Sequence, residues 1–434
     1  MSKLRIGLIG AGARGTVGFG RLLTRDCADR CALMALADSN AERARAAARY
    51  LGVEADVYEN YLDLLDRTDI EAVIITTPDY LHETHAVAAL RAGKSVLMDK
   101  PLATTARGAL NIVAAARETG RRLYMGFNLR HVIHVRKLRE LVESGVLGEV
   151  FSVHAVEHYD GGRTYMARWN RLKARSGGLF VHKGCHDFDA INWLMQPARP
   201  VRVACFGSVF ALNERGIPFP LRDGVRPGPT CSSCAYVDIC RDRYFVGDEW
   251  VPDLDPQARA AYKAMWDERA SRIDGYHKNL CIYLSDKDTH DQGIALVEFD
   301  NGGTAEHSEY FVTPLTNRRY LVEGTRGHAE ADLHGNFVEF VPRWGGKPTR
   351  YQPDLSRGTH LGSDLRMVVE FLDCMQGIRQ PTADGIDGVW SVAVGEAAEI
   401  SRAERRVVEI SEVLDVRSEL LKRPESGSER RTAS

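Results

Sequence analysis

Six residues near the N-terminus, Gly10-Ala11-Gly12-Ala13-Arg14-Gly15, constrain this chain more than any others. They follow the apolar run Leu4-Arg5-Ile6-Gly7-Leu8-Ile9 and open a stretch of helical character beginning near Arg14. Between a strand and a helix each glycine has a task. Gly10 permits the tight turn, Gly12 lets the backbone approach a pyrophosphate, and Gly15 lets the helix pack close to the strand. The helix start, with Ala13 and Arg14 at its lip, offers free N–H groups to a phosphate. The next strand-like run ends at Asp38, at the spacing where a carboxylate accepts hydrogen bonds from ribose hydroxyls and repels a 2′-phosphate. The turn therefore predicts a dinucleotide site with NAD as cofactor. NADP is the less favoured alternative, since Arg14 and Arg43 could neutralise the extra phosphate.

The surrounding pattern extends this reading. Runs rich in Ile, Val, Leu and Met at 4–10, 31–38, 71–77, 94–99 and 122–127 have the character of strands buried on both faces. Helical stretches at 41–51, 82–91 and 105–119 lie between them, with Gly52, Gly93 and Gly120 close behind as stop signals. The alternation predicts an α/β fold beginning with a doubly wound parallel sheet over 1–127. Past Phe127 the texture changes to one amphipathic helix, 131–143, and then runs of alternating polarity at 149–157, 201–210, 293–299, 303–311 and 319–323. With Asn301-Gly302 reading as a hairpin turn, these predict an α+β domain over 128–421 with an open, largely antiparallel sheet. A Pro- and Cys-rich stretch at about 211–281, with a helical segment at 257–270, reads as an insertion. The Ser/Arg/Glu-rich tail, 422–434, reads as disordered.

Bulk properties narrow the partners. A net charge of −2 over 434 residues gives no electrostatic footprint for nucleic acid or an anionic membrane. No run approaches the roughly 18 apolar residues that span a bilayer, and no signal-peptide pattern opens the chain, so a cytoplasmic location is expected. Disulfides are then not expected among the nine cysteines.

The fifth strand ends Met98-Asp99-Lys100-Pro101, placing a lysine at the carboxyl edge of a parallel sheet, where ligands bind in such folds. Together with the glycine turn, Thr77-Pro78-Asp79 with His82, and Gly126-Phe127-Asn128 with Arg130, this order of motifs resembles the Gfo/Idh/MocA family (glucose–fructose oxidoreductase, inositol dehydrogenase, rhizopine catabolism). The family's lysine motif is usually Glu-Lys-Pro, so Asp99 is a variant. The resemblance implies cofactor contacts from Thr77, Pro78, His82, Asp99, Lys100 and Asn128. It also implies a C-terminal sheet that serves as the interface of a homo-oligomer, a dimer or tetramer.

The family's second signature is Gly-Gly followed by Asp-x-Gly-x-His. Here the chain reads Gly177-Gly178-Leu179-Phe180-Val181-His182-Lys183-Gly184-Cys185-His186, so His186 matches the catalytic histidine while His182 stands where the aspartate belongs. Removing a hydride from a carbinol also requires removing a proton, best done by a base with a pKa near ambient pH. His186 is the expected base, Lys100 shares or relays the proton and polarises the carbonyl in reverse, and His182 and Lys183 bind hydroxyls or complete the relay. Arg168 and Trp169 resemble an Arg-Trp segment of a family subgroup and, with Arg130, are expected to touch substrate. Trp169 would serve as a sugar-stacking wall or as an ordinary core residue. On one helix, His182 and His186 could also share a divalent metal; Asp187, Asp189 and His154 exist, but nothing nearby reads as a clear third ligand.

Cys231-Ser-Ser-Cys234 and Cys240 in the insertion have spacing that suits structural zinc, with Cys281 as the fourth ligand that the resemblance implies. The other cysteines singled out, Cys27, Cys31, Cys205 and Cys374, read as core residues. The expected activity is NAD-dependent oxidation of a secondary hydroxyl on a small sugar, polyol or glycoside. The extra acid–base groups at His182 and Lys183 raise a second possibility, glycoside cleavage by transient oxidation, elimination, water addition and re-reduction. A regulator that merely binds NAD is disfavoured by the intact Lys100 and His186.

Overall fold

The computed structural model describes residues 2–244, 256–267, 269–270, 273, 276, 278–355 and 359–423. The expected disorder of the tail falls almost wholly outside them.

The first sheet contains β1 (Leu4–Ile9), β2 (Cys31–Ala37), β3 (Asp56–Tyr58), β4 (Ala72–Ile75), β5 (Ser95–Met98) and β6 (Leu123–Met125), all parallel in the order β3-β2-β1-β4-β5-β6. The order reverses between β1 and β4, and this switch point opens the crevice at the strands' carboxyl ends. Ile6, Leu8 and Ile74 are buried, as strands covered on both faces must be. The helices that cover them are fixed locally. Asn40 caps helix Ala41–Leu51 by accepting from the Arg43 N–H at 3.1 Å, and Thr105 caps Ala106–Thr119 through the Gly108 N–H at 3.1 Å. Each cap is worth ~1 kcal/mol. Gly52 and Gly120 end those helices in the left-handed region, as their positions predicted.

The first helix departs from expectation. Arg14–Gly20 and Leu22–Asp26 are π-helical, wider than an α-helix.

The second sheet has nine strands. They are β7 (Val150–His158), β8 (Pro200–Ser208), β9 (Gln292–Phe299), β10 (Thr304–Tyr310), β11 (Asn317–Gly324), β12 (Gly327–Asp332), β13 (Phe337–Pro342), β14 (Thr349–Tyr351) and β15 (Val408–Glu409). All pairings are antiparallel except β7 with β10, which run parallel at the centre. The β9–β10 hairpin forms where Asn301-Gly302 predicted it, though only Gly302 adopts a positive φ. Helices Cys185–Met195 and Gly385–Glu404 cover one face. The other is open and carries Phe206 and Leu296, both exposed.

The chain's late helices return to its beginning. Helix Ser363–Met375 buries Met367, Val368, Phe371 and Leu372 in one apolar cluster with Ile6, Leu8 and Phe19 of the first sheet's half. Polar ties follow the same path: Arg14 pairs with Asp364 at 3.1 Å and Arg30 with Asp373 at 2.8 Å.

Candidate active site

A cavity of about 700 Å³ runs from the switch point of the first sheet to the helices that cover the second. Gly10, Gly12, Ala13, Arg14, Asp38, Thr77, Pro78, Asp99, Lys100, Asn128, Arg168, Trp169, His182, Lys183 and His186 line it together. Its walls carry seven Lys or Arg side chains against four Asp or Glu, so its balance favours an anionic ligand.

At the first end, Gly10 has φ +99°, and a Cβ there would lie 2.8 Å from the Thr76 carbonyl and the Thr77 nitrogen. A Cβ on Gly15 would lie 2.1 Å from the Gly10 oxygen, so the third glycine is needed for close packing and does not itself reach the cavity. Above Gly12 the nearest atom to such a Cβ is on Trp266, 3.9 Å away, so a side chain would take up cavity space. Asp38 is held in place as it accepts from the Ala11 N–H and the Asn40 N–H, both at 2.9 Å. Arg14 donates to Asp99 at 3.2 Å and to Asp364, while Asn128 donates to Asp364 at 2.9 Å. An extended anionic dinucleotide fits this set: glycine room at the turn, a fixed carboxylate at the end of β2, and a helix start facing the space between.

The second end gathers the chemistry. Lys100 Nζ donates to the His182 carbonyl oxygen at 2.7 Å. His182 Nδ1 lies 2.6 Å from Asp79 Oδ2, and its Nε2 lies 3.2 Å from the Asn170 amide nitrogen. Burial pushes His182 well below the ordinary imidazole range, with the charges of Lys100, Lys183 and His82 adding to it. Burial also pushes Asp79 well above the ordinary carboxyl range, against the pull of Lys100. The pair therefore favours its uncharged forms. With Asp79 ionised, Nδ1–H donates to the carboxylate and Nε2 accepts from Asn170. With Asp79 protonated, the carboxyl donates to Nδ1, and the Nε2–H is served once the Asn170 amide turns over to present Oδ1, which otherwise has no hydrogen-bond partner. Asn170 can thus serve either tautomer.

Lys183 pairs with buried Glu157 at 3.0 Å and lies over the Tyr159 ring, 4.4 Å from its centroid. Glu157 in turn meets Arg318 at 2.6 Å, and Arg318 reaches Asp187 at 3.1 Å. His186 lines the cavity edge-on to Phe127, and Trp169 stands edge-on to His182 at 5.3 Å. The Gly177-Gly178 pair sets this loop. Gly178 has φ +97°, and a Cβ there would lie 2.1 Å from the Glu399 carboxyl carbon, while the Phe180 N–H donates to that carboxylate at 3.2 Å.

Three groups of expectations change. His82 is buried beside the site and does not line the cavity; its ring nitrogens face the Pro101 and Thr77 carbonyl oxygens at 2.7 and 2.9 Å, so it braces the loop carrying Lys100. Arg130 is drawn away from substrate. Its guanidinium forms two bonds to buried Asp189, at 2.8 and 2.7 Å, and reaches Asp387. His182 and His186 do not share one helix, because Leu179–His182 ends before Cys185–Met195 begins. Asp187 and Asp189 are held by arginines, and His154 pairs with Glu306 on the second sheet.

The zinc expectation is not supported either. Cys231, Cys234, Cys240 and Cys281 line one small cavity, and the Gly228 and Tyr236 N–H groups donate to Cys234 Sγ at 3.3 and 3.4 Å. Yet among the described residues no group of three or more His, Cys, Asp or Glu side chains is arranged to hold a metal. All four cysteines are free.

Sequence reasoning gave no role to Asp79, although it lies inside a motif that was singled out, and none to Asn170. It named none of Trp266, Tyr276 and Lys278, which line the cavity near Asp38 from within the insertion. No described helix is long and apolar enough to cross a membrane.

Comparison with known proteins agrees with this geometry. A family model described as "Oxidoreductase family, NAD-binding Rossmann fold" (GFO_IDH_MocA) matches residues 4–127, and its companion, "Oxidoreductase family, C-terminal alpha/beta domain", matches 139–410. YteT of Bacillus subtilis (strain 168) is 26% identical over 365 residues, covering 80% of this chain and 83% of that one. An inositol 2-dehydrogenase of Klebsiella pneumoniae is 32% identical over 201 residues, which span 44% of this chain and 55% of the relative. Among solved structures, an oxidoreductase domain protein from Kribbella flavida superposes with a TM-score of 0.71 at 23% identity, covering 94% of this chain and all of that one.

Proposed function

The chain belongs to the Gfo/Idh/MocA family of NAD-binding oxidoreductases, and on that premise we propose that it moves a hydride between NAD and a secondary hydroxyl of a sugar, polyol or glycoside. One observation carries the reading: a single cavity joins Asp38 and the glycine turn to Lys100, His182, Lys183 and His186. The preference for NAD over NADP rests on the fixed Asp38 carboxylate, which suits ribose hydroxyls and repels a 2′-phosphate.

Bound along that cavity, the nicotinamide supplies a hydride acceptor. The remaining work falls to the chain's own side chains. Lys100 spends one N–H on the His182 carbonyl and keeps two donors that bind the reacting oxygen and stabilise its developing charge. His186 takes the hydroxyl proton. The Asp79–His182 pair, with Asn170 serving either tautomer, passes a proton onward. Lys183, steadied by Glu157 and Tyr159, donates to a neighbouring hydroxyl. Tyr159, Tyr165 and Trp169 form an aromatic wall suited to the C–H face of a sugar ring, with Arg168 and Asn170 as polar partners. The open face of the second sheet, with Phe206 and Leu296 exposed, suits a homo-oligomeric interface.

A panel of polyols, sugars and glycosides incubated with protein and NAD tests the proposal, read as NADH absorbance. Net NADH with at least one carbinol is the expected result, and no turnover with any member, despite saturable NAD binding, would count against it. The Asp79–His182 pair also favours a second reading, since elimination needs acid–base groups beyond those of simple oxidation. Release of an aglycone without net NADH would identify that glycoside-cleaving course.

A further inference from the structure

The insertion folds back onto the first half of the molecule beside the glycine turn. Helix Pro256–Ala264 buries Ala258, Ala261 and Tyr262 in the cluster that holds helix Ala41–Leu51, and Tyr262 meets Tyr50 with ring centroids 6.0 Å apart. Asn40, which caps that helix, also donates through Nδ2 to the Ala270 carbonyl at 2.8 Å. Anchored this way, Trp266 reaches within 3.9 Å of the space above Gly12. The Lys278 ammonium lies 3.7 Å from its ring centroid and the Arg43 guanidinium 4.8 Å, while Tyr276 stands edge-on to it at 5.9 Å. All four side chains line the cavity next to Asp38. Trp266 is 6% exposed, and its buried indole N–H has no hydrogen-bond partner among the described residues.

We propose that Trp266, Tyr276 and Lys278 form a retaining wall over the adenosine half of the cofactor, so that the cofactor is released slowly after each turnover. The proposal rests on the reading of this cavity as an NAD site. Two features make the wall more than a cover. It is fixed to the same Asn40 cap that positions Asp38, so wall and ribose anchor move as one piece. It also brings the Lys278 ammonium, beside Arg43 of the helix it packs against, to the end of the cavity where an adenosine moiety offers ring nitrogens, hydroxyls and a phosphate.

The test is a chase. Protein loaded with NADH is mixed with excess NAD in a stopped-flow instrument, and loss of bound-NADH fluorescence gives the dissociation rate. Trp266→Ala is expected to raise that rate about tenfold, the factor matching ~1.4 kcal/mol of lost contact. Trp266→Phe should raise it by less, and Trp344→Ala, at an exposed residue that does not line the cavity, should leave it unchanged. A Trp266→Ala rate within twofold of wild type, with unchanged circular dichroism and melting, overturns the proposal. If that variant does not fold, Lys278→Met and Tyr276→Ala address the same wall: each should raise the rate about threefold or more, and wild-type rates in both overturn it. Absence of saturable NADH binding by the wild-type protein would instead reject the cofactor reading itself, and the wall with it.

Discussion

Asp79→Asn separates a proton-carrying role for the Asp79–His182 pair from a structural one. Burial already pushes the Asp79 carboxyl well above its ordinary range, so asparagine resembles the protonated acid in shape and charge. It keeps a hydrogen bond to His182 Nδ1, where the carboxyl sits at 2.6 Å. Exchanging one neutral hydrogen bond for another puts at risk ~1 kcal/mol at most, a shift in melting temperature of a few degrees or less. Catalysis is a different matter, because asparagine can neither accept nor release a proton. Losing one acid–base partner costs roughly 10²–10⁴ in rate, or ~3–5 kcal/mol of barrier. The assay is turnover with whichever carbinol the panel identifies, alongside NADH affinity by fluorescence and thermal melting. The expected outcome is a kcat loss of at least ~100-fold with NADH affinity and melting nearly unchanged. A kcat within threefold of wild type would refute the relay and leave Asp79 a brace for His182. A parallel loss of stability and NADH affinity would refute the argument differently, by showing that the carboxylate form holds the loop.

Other perturbations address other parts of the structure. Lys100→Ala should lower turnover by ~10²–10⁴ while NAD affinity stays within a few-fold, and surviving turnover would contradict the role given to its ammonium. Asp38→Ser removes a carboxylate whose repulsion of a 2′-phosphate about 4 Å away is worth ~1–4 kcal/mol, so the NADP/NAD ratio of kcat/KM should rise roughly tenfold or more. His85 and His131 are held down to about 4, chiefly by burial. Between pH 6.5 and 4 the unfolded chain binds the protons that the folded one refuses, so stability is full above that window and falls as pH drops through it. Each histidine contributes ~2 kcal/mol of this loss between pH 7 and 5, and urea titrations should show a shallower pH slope in His85→Gln. Arg130→Met strands Asp189 in the interior, while Asp387 keeps its pair with Arg423, so it should destabilise by about 3–5 kcal/mol while leaving the NADH affinity of the folded fraction unchanged.

What could be read from the residues divides along a physical line. Features set by neighbours in sequence were legible: the glycine turn, the buried parallel strands, the left-handed caps at Gly52 and Gly120, and Lys100 at a strand's end. Features set by partners far along the chain were not. Asp79 and His182 meet only when the two sheets are brought together, and nothing in the Thr77-Pro78-Asp79 segment marks its carboxylate as half of a pair. Arg130 looked like a substrate ligand because its motif lies beside the site, but buried Asp189 and Asp387 outcompete any ligand for its guanidinium. The parallel pairing of β7 with β10 was equally hidden, since alternating polarity shows which face a strand buries and not which strand lies next to it. The strands after Gly327 were missed in the same way. The insertion offered cysteines to the eye, yet its contribution to the cavity comes from Trp266, Tyr276 and Lys278, which follow no motif.

The late helix Ser363–Met375 has a consequence for how the protein is made. Its Met367, Val368, Phe371 and Leu372 complete the apolar cluster around Ile6, Leu8 and Phe19, and its Asp364 ties down Arg14 beside the cofactor turn. Ribosomes add ~5–20 residues per second, so tens of seconds pass between the emergence of β6 and that of Phe371. Throughout that interval the nascent first sheet has an uncovered greasy flank, and Arg14 has only Asp99 of its two carboxylate partners. Synthesis of this chain is thus a wait for its own last quarter, during which a holdase or an early-bound dinucleotide would protect the half-built cofactor site. Moving the segment that contains this helix ahead of β1 by circular permutation would abolish the wait.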